Sequence, residues 1–189
     1  IRDRITLLDS LDVKTARLVG HSQGCLVAID ATARYPERVS RIGLIAGALA
    51  IPVNDQLLTM SDEALGKAIS VMTSWGHGPM GHMHDNTQPG HSFLGYGKRL
   101  MTSNHADALR NDLKACNNYS GGKASAAKIF QPALCILAGS DRMTPIKFGM
   151  AMADSLVNSE RVIMNGAGHM LPAERPAEVN DALRHFLSS

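Results

Sequence analysis

The chain has 189 residues, 44% of them hydrophobic and 19% charged, and its 19 Lys and Arg against 17 Asp and Glu give a formal charge of +2. This composition is typical of one globular domain, or of a core with a modest insertion, and it excludes disorder of the whole chain. It contains no basic stripe that would predict a nucleic-acid partner, and its longest uncharged apolar run, residues 42–53, is too short to span a bilayer.

The first 50 residues predict a strand–helix–strand unit that follows a short helix. Apolar residues at helical spacing indicate that the short helix closes near Asp12. A buried strand is then predicted over 16–20, a helix over 23–34 and a second strand over 39–46.

Residues 51–130 break this rhythm and predict an inserted, mostly helical subdomain. Ser61 is expected to cap one helix, and Asn104 to cap another that runs to about Cys116. The stretch between these helices, 75–97, is rich in Gly and His and indicates an irregular loop.

The alternation of strands and helices returns after residue 130. Strands are predicted over 133–139 and 161–165, and helices over 145–156 and 176–187. The last helix is expected to place Val179, Leu183, Phe186 and Leu187 on one face. Such alternation predicts an α/β fold, a mostly parallel sheet with helices on both faces. The expected domains are a core in two parts, 1–50 and 131–189, and the helical insertion over 51–130.

A candidate nucleophile stands where the first strand meets its helix. Gly20-His21-Ser22-Gln23-Gly24 fits G-x-S-x-G, the pattern of a nucleophile elbow. The turn would hold the serine in a strained backbone conformation for which the flanking glycines leave room. The next backbone N–H, near the helix N-terminus, would then be able to bind an oxyanion. The alternative is a plain strand–helix turn with a capping serine.

Two further strand ends carry the groups that a serine nucleophile requires. Asp141 follows the strand at 133–139, and His169 follows the strand at 161–165. Because parallel strands end at one edge of a sheet, these side chains are expected beside Ser22. The chain order Ser, Asp, His is that of α/β-hydrolases. The alternative makes Asp141 a turn residue and His169 a loop residue.

Three motifs, L-V-G-H-S-Q-G (18–24), L-A-G-S-D-R-M-T-P (137–145) and G-A-G-H-M-L-P-A-E-R-P (166–176), resemble those of the α/β-hydrolase superfamily with an inserted cap. The elbow is similar to that of esterases and lipases, whereas epoxide hydrolases and haloalkane dehalogenases place Asp at the nucleophile position. The resemblance implies that Ser22 is the nucleophile, His169 the general base and acid, Asp141 the residue that orients His169, and Gln23 an oxyanion donor. It implies no metal and no organic cofactor.

The resemblance also implies segments that this sequence does not contain. Members of the superfamily carry four further strands upstream, and the loop after the third supplies a second oxyanion donor. We therefore expect that Ile1 is not the biological start and that this chain alone is weakly active or inactive. The strand at 16–20 would form a bare apolar edge, through which a homodimer is expected if the chain is complete.

The predicted function is cleavage of a small to medium carboxylic ester, a small-molecule substrate, through an acyl-enzyme. His21, Trp75 and Met170 are predicted substrate contacts. One alternative is C–C bond hydrolysis of a dienoate-type ketone, for which Arg142 is the nearby candidate to bind a second carboxylate. Another is a non-catalytic, hydrolase-like ligand-binding protein, and ligand turnover discriminates between catalysis and binding.

Two other sets of residues have simpler interpretations than catalysis. His77, His82, His84 and His91 suggest a metal site but lack the ligand pattern of known zinc sites, so a polar cap loop is predicted instead. The three widely spaced cysteines, Cys25, Cys116 and Cys135, are predicted to be reduced thiols buried in a cytoplasmic protein.

Overall fold

A parallel sheet forms the centre of the computed structural model, which describes residues 2–82 and 92–188. Its strands are β1 (Ala16–His21), β2 (Val39–Ile45), β3 (Ala133–Ala138) and β4 (Ser159–Met164). Within the described residues they lie side by side in chain order, and each neighbouring pair is parallel. The predicted α/β fold class is confirmed.

The helices of the described residues are α1 (Arg2–Ser10), α2 (Gln23–Arg34), α3 (Asp55–Glu63), α4 (Leu65–Gly76), α5 (Pro79–His82), α6 (Phe93–Thr102), α7 (Ala108–Asn118), α8 (Gly122–Ala126), α9 (Ile146–Asp154), α10 (Leu171–Glu174) and α11 (Pro176–Ser188). The strands and helices predicted on either side of residues 51–130 are all present, with ends close to those expected.

Both faces of the sheet are covered, because successive side chains of a strand point to opposite faces. Every residue of β3 is buried. Cys135 and Leu137 pack in one core cluster with residues of α2 and α9, whereas Leu134 and Ile136 pack in a second cluster with α11. The predicted apolar face of the last helix is confirmed, since all four of its residues pack in this second cluster.

β1 lies at one edge of the described sheet. Val19 is 45% exposed there, and a mostly apolar groove of about 380 Å³ runs between α1, β1 and α2. The apolar strand edge that the sequence predicts is therefore present.

The segment between β2 and β3 is mostly helical, as expected, but three local predictions for it were wrong. Ser61 lies inside α3, where its hydroxyl donates to the carbonyl of Leu58. The N-cap of α7 is Asp107, not Asn104. The stretch 75–97 contains α5 and the beginning of α6 in its described part. The domain limits over 1–50, 51–130 and 131–189 stay a prediction.

All three cysteines are free and buried, as predicted. Burial raises the pKa of Cys116 to about 11 and that of Cys135 to about 12, and it raises the pKa of Cys25 further. Their thiols therefore stay protonated at neutral pH. Within residues 2–82 and 92–188, no helix combines the length and the apolar character needed to cross a bilayer.

Candidate active site

Ser22 occupies a strained turn between β1 and α2. Its φ is 55°, in the left-handed region that residues other than glycine rarely adopt. Its N–H donates to the carbonyl of Ile45 and its carbonyl accepts from the N–H of Cys25, both at 2.9 Å. The Ser22 side chain makes no helix-cap hydrogen bond. The turn thus differs from the capping turn of the alternative interpretation and has the conformation of a nucleophile elbow.

Of the two glycines that flank the elbow, Gly20 is the one that the packing requires. A Cβ on Gly20 would lie 2.3 Å from the carbonyl oxygen of Gly24. A Cβ on Gly24 would meet nothing within 4 Å. The expectation that both glycines leave room for the turn was therefore wrong for Gly24.

Gln23 is the first residue of α2, so its backbone N–H belongs to the first turn, whose donors have no acceptor within the helix. Its side chain reaches across to α7, where Nε2 donates to the carbonyl of Asp112 at 3.3 Å. The Gln23 N–H therefore lies where an oxyanion donor is expected, beside Ser22, and that role stays a prediction.

Asp141 and His169 form a buried pair at the same edge of the sheet. Nδ1 of His169 lies 2.8 Å from Oδ2 of Asp141, and the two side chains are 3% and 1% exposed. Burial by itself raises the pKa of Asp141, but the hydrogen bond and charge of His169, with hydrogen bonds from Thr144, outweigh it and lower that pKa. A charged carboxylate only accepts hydrogen bonds, so Nδ1 carries the proton and Nε2 is left as the basic atom.

Thr144 supports this pair, although no sequence motif pointed to it. Its N–H donates to Oδ1 of Asp141 at 2.8 Å. Its hydroxyl lies 2.8 Å from both Oδ2 of Asp141 and the carbonyl oxygen of Ala46, and 3.2 Å from Nδ1 of His169. The signal that could have found it is the Asp-x-x-Thr spacing, because an Asp side chain often accepts from backbone N–H groups that follow it.

His21, one residue before Ser22, contacts the backbone of the candidate base. Its Nε2 lies 2.8 Å from the carbonyl oxygen of His169, and the two ring centroids are 5.0 Å apart. Burial and the neighbouring His169 lower the pKa of His21, against smaller opposing effects of that hydrogen bond and of Asp141. His21 is therefore neutral at neutral pH and donates from Nε2.

The Ser22 hydroxyl forms no hydrogen bond to His169, or to any other group of the described residues. His21 links the elbow to the backbone carbonyl of His169, and the pairing of Ser22 with His169 in one site stays a prediction. Catalytic hydrogen bonds often tighten only in the complex with substrate.

A cavity of about 430 Å³ opens beside the elbow. Ser22 and Gln23 line it, and most of its wall is apolar, with contributions from Val53, Leu57, Met72, Trp75, Met143 and Phe148. Its polar groups include Asn54, Asp112 and Arg142. Of the predicted substrate contacts, Trp75 lines this cavity, whereas His21 and Met170 are not among its described lining residues. Substrate contact stays a prediction for all three.

The histidines of the 75–97 stretch do not converge in its described part. His77 is buried, with Nδ1 2.9 Å from the carbonyl oxygen of Thr73, and Nε2 of His82 lies 2.9 Å from that of Ser74. His84 and His91 lie outside the described residues. No group of three or more His, Cys, Asp or Glu suited to a metal ion occurs in residues 2–82 and 92–188.

Comparison with known proteins gives consistent matches. A model of the alpha/beta hydrolase family matches residues 1–182. The chain is 24% identical to the uncharacterized hydrolase YugF of Bacillus subtilis (strain 168), over 97% of this chain and 69% of that protein. It is also 24% identical to a 2-hydroxy-6-oxononadienedioate/2-hydroxy-6-oxononatrienedioate hydrolase of a Pseudomonas species, over 96% of this chain and 66% of that protein. The solved structure of a thermophilic esterase has 27% identity and a TM-score of 0.80, over 97% of this chain and 69% of that one. The chain thus spans about two thirds of the length of these relatives.

Proposed function

We propose that this chain, which belongs to the α/β-hydrolase family, is part of a serine hydrolase and carries its catalytic residues. The proposed substrate is a small to medium carboxylic ester. The observation that carries this proposal is the buried Asp141–His169 pair, joined through His21 to a strained serine that lines a mostly apolar cavity. The similarity to a thermophilic esterase at 27% identity supports an ester as the substrate.

The proposed reaction begins when Ser22 Oγ attacks the ester carbonyl carbon and transfers its proton to Nε2 of His169. Asp141 holds the imidazole by Nδ1 and stabilises the imidazolium. The N–H of Gln23 stabilises the oxyanion of the tetrahedral intermediate. His169 then donates its proton to the leaving alcohol, which leaves an acyl-enzyme on Ser22. A water molecule that gives its proton to His169 attacks the acyl group, and the acid is released as His169 returns that proton to Ser22.

A second candidate is hydrolysis of a C–C bond in a ketone that carries carboxylates. Arg142 favours it, because its cation lines the same cavity as Ser22 and forms no ion pair within the described residues. The similarity to the Pseudomonas hydrolase, whose name describes a dicarboxylate substrate, agrees with this candidate. The ester reaction remains the first proposal, because most of the cavity wall is apolar.

The decisive experiment is intact-mass spectrometry of the native protein before and after a fluorophosphonate probe. Ser22→Ala is the test variant, and Ser155→Ala, whose hydroxyl donates to the carbonyl of Ala151 in α9, is the matched control. One adduct that only Ser22→Ala abolishes supports an activated serine. Turnover is then compared between p-nitrophenyl esters of increasing acyl length and a dienoate-type keto acid.

Each outcome separates the alternatives. Ester turnover that is lost in Ser22→Ala supports the first proposal, and turnover of the keto acid alone supports the second. Ligand binding without an adduct or turnover would identify a hydrolase-like binding protein instead. Turnover in Ser22→Ala near that of the wild type would contradict the mechanism.

A further inference from the structure

Glu174, in α10, joins its own loop to a segment that lies 96 residues earlier in the chain, because one oxygen of its carboxylate is shared by both. Its Oε2 accepts the N–H of Gly168 at 3.0 Å and the N–H of Gly78 at 3.1 Å. Gly168 immediately precedes the candidate base His169. Gly78 follows α4, the helix that carries Trp75 of the cavity wall. One carboxylate therefore connects the cavity wall to the loop that holds His169.

The same two segments are also in direct backbone contact. A Cβ on Gly168 would lie 2.1 Å from the nitrogen of Gly78, and a Cβ on Gly78 would lie 2.6 Å from the nitrogen of Gly168. Only glycines allow this approach. On the other side of His169, the N–H of Met170 donates to the carbonyl of Gly76 at 2.8 Å. The turn after α4 thus holds the chain both before and after the base.

The second oxygen of Glu174 has a different environment. Oε1 is buried and has no hydrogen-bond partner among the described residues. A buried polar atom without a partner is unfavourable, and such atoms in folded proteins need a specific explanation. Stability alone therefore does not account for a glutamate at this position.

We propose that Glu174 is a positioning residue of the hydrolytic reaction, an inference that rests on the proposed function. Its carboxylate fixes the loop of His169 against the turn after α4, so that Nδ1 stays on Asp141 while substrate fills the cavity. Glu174 acts through His169 and does not touch the reacting atoms. Hydrogen bonds from N–H groups to a charged carboxylate are stronger than those between neutral groups, which suits this role.

The test compares four forms of the native protein. Glu174→Ala removes both hydrogen bonds, whereas Glu174→Gln keeps the side-chain length and one acceptor oxygen. Glu178→Gln is the matched control, because Glu178 lies in the first turn of α11 and its side chain is 60% exposed. For each form, the fluorophosphonate titrates the active sites, kcat is expressed per titrated site, and KM and the thermal unfolding midpoint are measured.

Glu174→Ala is expected to lower kcat per titrated site by roughly 10- to 100-fold, because a displacement of about 1 Å in a catalytic group has effects of this size. KM is expected to change little, since the base acts in the transition state rather than in substrate binding. Glu174→Gln recovers most of the loss, and Glu178→Gln matches the wild type. A merely structural role would lower the number of titrated sites and leave kcat per site unchanged.

A value of kcat per site for folded Glu174→Ala within about twofold of the wild type would overturn the inference. If Glu174→Ala does not fold, Gly78→Ala becomes the test variant. Its Cβ would lie 2.9 Å from Oε2 of Glu174 and would disturb the hydrogen bond between Gly78 and Glu174. An unchanged kcat per site in Gly78→Ala would then overturn it. Persistent turnover in Ser22→Ala is a different result, which contradicts the proposed function and not the Glu174 contact.

Discussion

The carbonyl oxygen of His169 lies 2.8 Å from Nε2 of His21, so the residue before the candidate nucleophile holds the backbone of the candidate base. This contact requires a proton on Nε2 of His21, because that nitrogen is the donor to the carbonyl oxygen. Burial, and then the neighbouring His169, lower the pKa of His21 and keep it neutral. The elbow and the base are therefore coupled by a group that titrates differently in the folded and unfolded states.

The first prediction concerns the pH dependence of stability. Below the unfolded His pKa of about 6.5, unfolded chains bind a proton at His21 that the folded protein, with its lowered pKa, does not bind. The unfolded state then carries more protons, so this group makes stability fall as pH falls below that value. We expect His21→Gln to have a smaller difference in free energy of unfolding between pH 5 and pH 7.5 than the wild type.

Urea unfolding at the two pH values measures this difference. His105→Gln is the control, since the His105 side chain is 82% exposed. His105→Gln is expected to keep the pH dependence of the wild type. If His21→Gln also keeps all of it, His21 does not cause the pH dependence.

The second prediction is that Asp141→Asn lowers kcat by about 10⁴-fold. An amide at this position can donate to Nδ1 of His169, which favours the tautomer that has its proton on Nε2 and cannot act as a base. Steady-state kinetics on the ester that the native protein cleaves fastest measures the loss. Asp154→Asn, which removes an exposed partner of Arg161, is expected to leave kcat unchanged. Equal activity of the two variants would show that Asp141 does not orient the base.

The sequence predicted the sheet edge on which the candidate site residues lie better than it predicted the helical segment between β2 and β3. Ser22, Asp141 and His169 each follow a strand, and the alternation of strands and helices was sufficient to bring them to one edge of the sheet. Helix caps depend on local competition, and the hydroxyl of Ser61 bonds to a carbonyl inside α3 instead of capping the next helix.

Other parts of the site could not be read from local patterns. Glu174 and Gly78 are 96 residues apart, so no local pattern shows that they meet. The hydroxyl of Thr144 likewise bonds to the carbonyl of Ala46, 98 residues away. The first contact depends on how the helical segment packs on the sheet, and the second on β2 and β3 lying side by side. Residue spacing along the chain encodes neither.

The third prediction is that Thr144→Val destabilises the protein and lowers its activity, whereas Thr144→Ser restores both. Valine keeps the shape of threonine but leaves the buried carbonyl of Ala46 without its donor, a loss of about 1–3 kcal/mol. The hydroxyl has one proton to donate, and Oδ2 of Asp141, also at 2.8 Å, is its alternative acceptor, so its loss also holds the Asp141–His169 pair less firmly. Urea unfolding and kcat per titrated site measure the two effects. A Thr144→Ser variant no better than Thr144→Val would exclude the hydroxyl as the cause.

The last prediction decides between the two candidate substrates through Arg142. If the cavity binds a ketone with a distal carboxylate, Arg142→Gln removes a charge-assisted hydrogen bond of about 1.5–3 kcal/mol, which raises KM for that substrate by roughly 10- to 100-fold. KM for a neutral ester should stay unchanged, because an uncharged acyl group contacts the apolar wall. Lys147→Gln is the control, since Lys147 is exposed and its ammonium lies over the ring of Phe148, 4.9 Å from its centroid. If Arg142→Gln leaves KM unchanged for a dicarboxylate ketone that the native protein turns over, Arg142 does not recognise the carboxylate.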